Sequence, residues 1–338
     1  MTSPAVSVVI PTHNRAALLE RAIRSVMNQT CRDWEIVLID DGSSDDTEDV
    51  ANAFSAELNG RFVYRTQKNL GASAARNAGI DTSRGRFVAF LDSDDEFAPN
   101  KLERQLELFR LRPELGLVYS DYAYIDLDGA RHESAFDDKL PLARTVQHEA
   151  VAPRLCVCSE GLFDSLIRGY FIATIVGMVR RDALATTVRF PDGYGYAEEW
   201  LFYLRLARRC RAGFVDEPLS VHHFVPGSSA RQDPHRNLLR YRALLAAISR
   251  EFPDLCDQNR RVLNAHRART AEQLAYDALR AGRHARAMTH LAEAFRFRPE
   301  WRSLGRLARA AATTIVPPLN RRSRVRDAIP QPAGPVVR

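Results

Sequence analysis

Apolar positions in the first third of the chain alternate between two kinds of spacing. Short, continuous apolar runs are typical of strands buried on both faces, and they lie at residues 6–11, 34–41, 61–66 and 86–92. Elsewhere, apolar residues recur three and four positions apart, which predicts helices over residues 16–29, 45–58, 73–83 and 100–110. Alternating strands and helices imply right-handed crossovers and parallel strands. The predicted fold class is therefore α/β, a Rossmann-like, mostly parallel sheet sandwiched by helices.

The pattern is less regular in the middle of the chain. Residues 115–126 predict a strand that continues the sheet, and residues 173–184 predict a strand that runs into the start of a helix. Apolar residues at helical spacing over 197–210 indicate an amphipathic helix. Residues 141–153 are expected to be loop, and residues 218–230 to be a strand that leaves into a Gly/Ser loop.

From about Arg236 the pattern is wholly helical. Two Ala/Leu-rich helices flank Gly282, and Pro299 follows the second helix. This unit is similar to one tetratricopeptide unit, but the sequence contains no second copy, and such arrays need about three copies for stability. We therefore predict a lone helical hairpin. The expected domains are an α/β domain over 1–230, a helical extension over 231–318 and a basic, disordered tail over 319–338.

The positive charge of the chain is concentrated near its C-terminus. The formal charge is +6 over 338 residues, and seven arginines with no acidic residue lie between Arg302 and Arg326. Apolar residues at helical spacing accompany these arginines, and a basic amphipathic helix suits an anionic membrane surface. The alternative is a helix packed on the domain with a disordered tail. No nucleic-acid-binding module is present in the sequence, so no nucleic-acid partner is expected.

The cysteines and apolar runs bear on location. Cys156 and Cys158 form a CxC motif without a second cysteine pair or a nearby histidine, so a zinc site is not expected. The five cysteines are expected to be free thiols in a reducing compartment. The first apolar run is too short for a signal peptide, and no run reaches the roughly 18 residues of a spanning helix. We therefore expect a cytoplasmic protein, peripheral on the inner face of the membrane if the basic helix binds there.

Four acidic residues, Asp92, Asp94, Asp95 and Glu96, follow the apolar run at 87–91. The carboxyl ends of strands in an open α/β sheet hold the ligand, so this acidic cluster should meet the loops "THNR" and "DDGSSDD" there. Asp92 and Asp94, two positions apart in extended chain, present their carboxylates to one face. A divalent cation relieves their repulsion, and Mg²⁺ or Mn²⁺ with a diphosphate needs few protein carboxylates. Asp95 and Glu96 suit the positive end of the following helix.

Four motifs in this order carry a family resemblance: "VSVVIPTHNR", "EIVLIDDGSSDDT", "NLGASAARNAGI" and "FVAFLDSDDEF". Together they resemble the nucleotide-sugar-binding half of family 2 glycosyltransferases of the A-type fold, strongly over residues 5–125 and fairly to about residue 230. The resemblance implies a nucleotide-sugar-binding half over 1–125 and an acceptor half over 126–230. It also implies an inverting, metal-dependent enzyme that moves a sugar from a nucleotide-diphosphate donor to a glycan or lipid-linked acceptor, in cell-surface polysaccharide synthesis.

The resemblance assigns donor and metal roles to particular residues. Asp41 resembles the residue that accepts a hydrogen bond from a pyrimidine base, which favours a UDP-sugar, and an Asx-turn is its local alternative. Asp92 resembles the acid near the ribose or metal, and Asp94 resembles the direct ligand of Mg²⁺ or Mn²⁺. Two histidines that follow the stretch "PLSV", His222 and His223, are candidates to contact the metal or phosphate, and His223 is taken as a metal ligand. The other implied donor-binding residues are Pro11, Thr12, Asn14, Arg15, Arg76 and Asn77.

The catalytic position departs from the family pattern. Inverting transfer needs a base for the acceptor hydroxyl, and the family usually places an Asp where this chain has Glu199 in "YAEEWLFY". Glu199 is one methylene longer than Asp, so either Glu199 or Glu198 is the expected base. Two acids at a helix start are also favoured by the helix dipole alone. The neighbouring Trp200 either stacks on a sugar ring or belongs to the core.

Two other functions compete with this one. A catalytically silent nucleotide-sugar-binding or scaffold protein is favoured only by the Glu-for-Asp exchange. A nucleotidyltransferase also joins such a sheet to carboxylate-bound metal. It would need a Gly-rich basic loop after the first strand, and residues 11–20 contain no glycine.

Overall fold

The computed structural model describes residues 3–159, 161–184, 187–225 and 233–299. The chain divides into two compact units, residues 1–228 and residues 229–338. The first unit begins with β1 (Val6–Thr12), α1 (Ala16–Met27), β2 (Trp34–Asp40), α2 (Thr47–Leu58), β3 (Phe62–Thr66), α3 (Ala72–Thr82), β4 (Phe87–Phe90), β5 (Glu96–Phe97) and α4 (Lys101–Leu111). It continues with β6 (Leu115–Ile125), β7 (Arg131–His132), α5 (Ala135–Asp138), β8 (His148–Ala152), β9 (Leu155–Cys158), α6 (Leu162–Arg168), β10 (Met178–Arg180), α7 (Arg181–Leu184), α8 (Glu198–Arg209) and β11 (Arg211–His223).

The strands form one mixed sheet whose longer ladders are parallel, so the predicted α/β fold class is confirmed. The strand order is β3-β2-β1-β4-β10-β6-β11-β9-β8, with β5 paired to β11 and β7 paired to β6. β1 runs parallel to β2 and β4, and β6 runs parallel to β11. β6 continues the sheet as predicted, but the antiparallel β10 is inserted between it and β4.

The central strands are buried on both faces because helices cover both sides of them. α1 packs Leu19 and Ile23 into the core that also contains Val8 of β1. On the opposite face α3 approaches β1 closely at Gly79, where a Cβ atom would lie 2.2 Å from Cγ1 of Val9. Glycine is therefore needed at this contact, which fixes α3 against the strand whose end carries the "THNR" loop.

The expectation that residues 141–153 form only loop is wrong. They contain a short 3-10 turn, Pro141–Thr145, and the edge strand β8. β8 pairs only with β9, and its first three residues are exposed. An exposed edge strand needs no apolar alternation, so its sequence lacked the pattern that predicts a strand.

A second 3-10 turn, Thr174–Val176, is held by side chains from three separate elements. Ser220 of β11 donates to the carbonyl of Ile175 at 2.9 Å, and Tyr203 of α8 lies 3.4 Å from the carbonyl of Thr174. From α4, Nζ of Lys101 and Nε2 of Gln105 both donate to the carbonyl of Val176, at 3.2 and 2.9 Å. The turn therefore joins α4 to α8 and β11, which follow it much later in the chain.

The second unit is helical where the structure describes it. Its helices are α9 (Pro234–Glu251), α10 (Asp257–Arg280) and α11 (His284–Phe297). α10 and α11 form the predicted hairpin about Gly282, whose φ is +68°, and they share an apolar cluster that includes Leu279 and Leu291. The predicted basic helix of residues 301–326 and the tail of 319–338 lie outside the described residues. Within the described residues, no helix combines the length and the apolar character needed to cross a bilayer.

Candidate active site

Three polar loops meet at the carboxyl ends of β1, β2 and β4, as the sequence predicted. The backbone N–H of Asn14 donates to Oγ of Ser43 at 2.9 Å, and the N–H of Ser44 donates to Oδ1 of Asn14 at 2.8 Å. Asn14 is in the left-handed region with a φ of 51°, which asparagine tolerates better than most residues. Arg15 then lies with Nη2 4.0 Å from Oδ2 of Asp94. The first loop therefore links the second loop to the acidic cluster.

Asp41 holds the loop that leads into α3. Its Oδ1 accepts hydrogen bonds from Nε2 of Gln67 at 2.7 Å and from the N–H of Leu70 at 2.9 Å. Its Oδ2 accepts from the N–H of Gly71 at 2.7 Å. The local turn expected of Asp41 is made instead by Asp40, whose Oδ1 accepts from the N–H of Ser43. Asp41 thus shapes the loop of residues 67–71, and its contact with a base stays a prediction.

Two buried hydroxyl groups in this region lack a hydrogen-bond partner within the described part of the chain. They are Oγ1 of Thr12, beside Pro11 at the end of β1, and Oγ of Ser73 in the first turn of α3. An unmade hydrogen bond in a buried group costs about 1–3 kcal/mol, so both groups are suited to a ligand that would complete them. Sequence reasoning did not select Ser73, because a serine in a first helical turn is common without a ligand.

Arg76 of α3 is buried and connects the acidic cluster to the start of α8. Its Nη2 donates to Oδ1 of Asp92 at 2.6 Å, and its Nη1 lies 3.9 Å from Oε1 of Glu198. The guanidinium also lies 5.3 Å from the ring centre of Phe190. Although burial alone would lower it, the charges of Asp92 and Glu198 hold the pKa of Arg76 above its usual value. Nε of Arg76 is buried and has no partner among the described residues.

Asn77, the next residue, forms two hydrogen bonds with one backbone unit. Its Nδ2 donates to the carbonyl of Phe190 at 2.9 Å, and its Oδ1 accepts from the N–H of Phe190 at 2.9 Å. This reciprocal pair ties α3 to the segment that precedes α8. A donor contact by Asn77 stays a prediction, and the structure gives both atoms of its amide a partner already.

The four acids of the acidic cluster have different surroundings. Asp92 is paired with Arg76, whereas Asp94 has only Arg15 at 4.0 Å as an ion-pair partner in the described residues. Burial, followed by the charges of Asp95 and Asp92, raises the pKa of Asp94 to about 6. A carboxylate that is this poorly compensated is suited to a bound cation.

Asp95 and Glu96 do not lie in the first turn of a helix, so that expectation is wrong. α4 begins at Lys101, and Asp95 is fully buried. Its Oδ2 lies 3.0 Å from Nδ1 of His222, and its Oδ1 accepts from the N–H of His223 at 2.8 Å. Glu96 lies in β5, with Oε1 2.7 Å from Nε2 of His223. Both histidines therefore reach the acidic cluster, where they contact Asp95 and Glu96, and metal binding by His223 stays a prediction.

The two candidate bases open α8. Glu198 is buried beside Arg76, and burial followed by the charge of Glu198 raises the pKa of Glu199 to about 7. The preceding residue, Ala197, has a φ of 54°, an unfavourable conformation for a residue other than glycine. Backbone strain of this kind is frequent at functional sites. Trp200 is core rather than a platform for a sugar, since it is fully buried and its Nε1 donates to the carbonyl of Leu166 at 2.6 Å.

The sequence of the first unit matches a family described as glycosyl transferase family 2 over residues 7–150. Residues 7–150 therefore form a region of glycosyltransferase family 2. A glycosyltransferase of Haemophilus influenzae, described as uncharacterized, is 37% identical over 129 residues, which cover 38% of this chain and 51% of the relative. A PGL/p-HBAD biosynthesis glycosyltransferase of Mycobacterium bovis is 34% identical over 168 residues, covering 49% of this chain and 63% of that protein. The chain thus spans between about half and two thirds of these two relatives.

Solved protein structures share the fold. TarS of S. aureus, residues 1–349, superposes with a TM-score of 0.60 at 17% identity, covering 92% of this chain and 88% of that chain. The mannosyltransferase PcManGT from Pyrobaculum calidifontis superposes with a TM-score of 0.55 at 18% identity, covering 94% and 82%, and was solved in complex with GDP-Man and Mn²⁺. At these identities the likeness establishes the fold alone. Which ligands this chain binds has to be argued from its own residues.

The side chains that could bind a metal near Asp94 fit a hard divalent cation only in part. Within the described ranges, no three His, Cys, Asp or Glu side chains are arranged as a complete metal site. Mg²⁺ and Mn²⁺ sites often use one or two carboxylates and take their other ligands from water and phosphate oxygens. Asp94, with its raised pKa and weak pairing, is the acid whose surroundings fit that role. Asp92 is less available, since Arg76 already holds one of its oxygens.

Proposed function

We propose that this family 2 protein is an inverting, metal-dependent glycosyltransferase that moves a sugar from a nucleotide-diphosphate donor to a glycan or lipid-linked acceptor. A UDP-sugar is the favoured donor, and cell-surface polysaccharide synthesis is the favoured setting. The observation that carries the proposal is the charged chain Asp92–Arg76–Glu198, which holds the acidic cluster and the candidate base Glu199 in one network. An enzyme of this kind needs its cation site and its base to be close to the same bond.

Relatives support the class of donor and acceptor. TarS was also solved in complex with UDP-GlcNAc, and PcManGT with GDP-Man, so proteins of this fold bind nucleotide sugars. A mycobacterial relative is described as a PGL/p-HBAD biosynthesis glycosyltransferase. The buried, unpartnered hydroxyls of Thr12 and Ser73 lie where the donor is expected, and Asp41 shapes the adjoining loop.

The residues divide the reaction between them. Asp94 would hold Mg²⁺ or Mn²⁺, which when bound neutralises charge on the departing nucleoside diphosphate. Arg76 pairs with Asp92 and orients it. Glu199, with a pKa of about 7, is suited to take the proton of the acceptor hydroxyl as that oxygen attacks the anomeric carbon from the face opposite the diphosphate. Glu198 is held by Arg76 and orients this first turn of α8.

The test measures release of nucleoside diphosphate from nucleotide sugars by the purified full chain, with Mn²⁺ or with EDTA. Asp94→Asn should abolish the Mn²⁺-dependent release, and Glu199→Gln should lower the rate by about 10²–10⁴-fold. Glu149→Gln, which changes an exposed acid on β8, is the matched control and should leave the rate unchanged. Undiminished release in both site variants would reject the assignment. Donor binding without any turnover would favour the catalytically silent alternative.

A further inference from the structure

Five rings lie in a continuous row on the sheet beside the candidate active site. The members of this ring strip are Tyr122 and Tyr124 of β6, His132 of β7, His222 of β11 and Phe224, which follows β11. Successive ring centres are 6.2 Å apart from Tyr122 to His222, 4.8 Å to Phe224, 5.7 Å to Tyr124 and 4.3 Å to His132. The sequence did not reveal this row, because its members come from three separate segments.

The register of the strands explains why the rings share one face. His222 pairs with Tyr124 across the β11–β6 ladder, and His132 pairs with Tyr124 across the β6–β7 ladder. Side chains two positions apart on a strand point to the same face, which adds Tyr122 and Phe224. With strands about 4.8 Å apart and a rise of about 3.3 Å per residue, the strip is on the order of 10 Å long. That length exceeds a single sugar ring.

The inner end of the strip reaches the acidic cluster. Nδ1 of His222 lies 3.0 Å from Oδ2 of Asp95, within the acidic cluster. Burial, followed by the charges of Asp121, Asp95 and Glu199, raises the pKa of Tyr122, the ring at this end of the strip. A molecule lying on the rings would therefore have one end at the position where the sugar is transferred.

The outer end of the strip remains open to solvent and carries polar partners. The side chains of His222 and His132 are each 35% exposed. Nε2 of His132 lies 3.0 Å from Oδ2 of Asp126, a partly exposed acid at the rim. The ring of His132 stacks on Tyr124 at an interplanar angle of 7°. Tyr124 itself is buried, with Nζ of Lys139 3.4 Å from its ring centre, so it supports His132 from below while the other four rings, which are half-buried, form the surface. Ring faces bordered by hydrogen-bonding acids match a saccharide, whose C–H face packs on rings while its hydroxyls bond to the rim.

We propose that the ring strip binds the acceptor and that the acceptor is an oligosaccharide whose sugars beyond the reacting one lie along these rings. This proposal rests on the proposed function, since it names the acceptor class of the same site. It makes His132 a specificity residue that acts about two sugars away from the transferred one. An acceptor recognised only through a lipid or a lipid phosphate would make no use of this strip.

The test presents an array of defined oligosaccharides, with the corresponding monosaccharides, to the full chain in the presence of UDP and Mn²⁺. Retained oligosaccharides are then titrated, and saturation transfer from protein to sugar protons is measured by NMR. We expect oligosaccharides to bind more tightly than monosaccharides. His132→Ala should weaken binding about fivefold, the size of effect expected for one ring contact. His132→Phe, which keeps a ring but loses the bond to Asp126, should retain most of the affinity.

His148→Ala is the matched control, because His148 also packs its ring on an aromatic residue, Phe214, at 5.0 Å, but on the edge strand β8. It should bind like the unchanged chain. Failure of every oligosaccharide to bind, or equal affinity in His132→Ala, would overturn the proposal, as would binding of vesicles containing a polyprenyl phosphate alone. Release of nucleoside diphosphate by the same preparation separates the two hypotheses: if release persists while no oligosaccharide binds, only the acceptor assignment fails.

Discussion

The three polar loops after β1, β2 and β4, where the donor is proposed to bind, are called the donor loops. They and the ring strip adjoin the same carboxylates but are built in different ways. In the donor loops two acids have fixed partners: Asp41 accepts three hydrogen bonds, and Asp92 is paired with the buried Arg76. In the ring strip the contacts are between ring faces and edges, and Nζ of Lys139 lies over the rings of Tyr124 and Phe224, 3.4 and 4.0 Å from their centres. Buried charges tolerate little error in geometry, whereas ring contacts lose affinity in small steps. Breaking the Asp92–Arg76 pair should therefore abolish function, whereas changes in the strip should reduce it in small steps.

The largest effect is expected from Arg76→Met, which breaks the charge balance of the donor side. Asp92 and Glu198 would be left without their buried cation, which typically costs about 3–5 kcal/mol of stability. Nucleotide-sugar turnover should be lost as well. Urea unfolding measures the first effect. Arg131→Met, which removes an exposed pair with Glu133, is the control and should cost less than about 1 kcal/mol. Similar losses in the two variants would contradict the network.

A pH profile tests the candidate base next to the strip. The raised pKa of Glu199, about 7, means that the protonated form, which cannot accept a proton, dominates below that pH. We expect kcat/KM to rise about tenfold per pH unit up to about pH 7 and to level off above it. Initial rates between pH 5 and 9 measure this, with an acceptor whose ionisation does not change over that range. A profile that stays flat down to pH 5 would leave Glu199 without the role of base.

Asp41→Asn should have a moderate effect confined to the donor loops. An amide has one acceptor oxygen, so the new side chain cannot accept from all three donors of residues 67–71. We expect a loss of about 1–2 kcal/mol in stability and weaker binding of UDP, with oligosaccharide binding to the strip unchanged. Thermal unfolding with and without UDP measures both. Asp33→Asn, an exposed acid before β2, should change neither, and a matching loss there would undo the comparison.

The smallest effect on activity is expected at Lys101 of α4, which belongs to neither region. Its ammonium is fully buried, and burial lowers its pKa to about 7. Because the folded pKa lies below the unfolded value, the unfolded chain binds more protons between about pH 7 and 10.5, so stability rises with pH across that window. Lys101→Met should remove this slope and stabilise the fold at pH 7 by about 1–3 kcal/mol. Thermal unfolding at pH 7 and 9.5 checks it, and an unchanged slope would mean that Lys101 is not its source.

The first four strands and helices were predictable because the information that defines them is local. Each apolar run and each helical spacing lies within about a dozen residues, and parallel crossovers bring the loops after β1, β2 and β4 together. The meeting of Asn14, Asp41 and Asp94 at one edge follows from that rule alone. The motif set then identified the family, which the match over residues 7–150 confirms.

The contacts that complete the site were not predictable, because they join distant segments. No pattern in the sequence near Arg76 predicts its contact with Glu198. The position of β10 between β4 and β6 likewise depends on pairing between distant segments. Local spacing also misled at Asp95. Its position before a helix favoured a dipole contact, whereas its buried carboxylate is held by His222 and His223. Two-position spacing of Tyr122 and Tyr124 was visible, but their ring neighbours belong to other strands.

The paired hydrogen bonds between Asn77 and Phe190 limit how this protein can be recombined with its relatives. A chimera that exchanges only the later half of the domain would receive a new segment before α8 while keeping an α3 shaped for the old one. Shuffling across that boundary should succeed only when position 77 and the backbone at position 190 come from the same parent. A chimera that keeps the position of Glu199 must therefore take two distant segments, α3 and the residues before α8, from one parent.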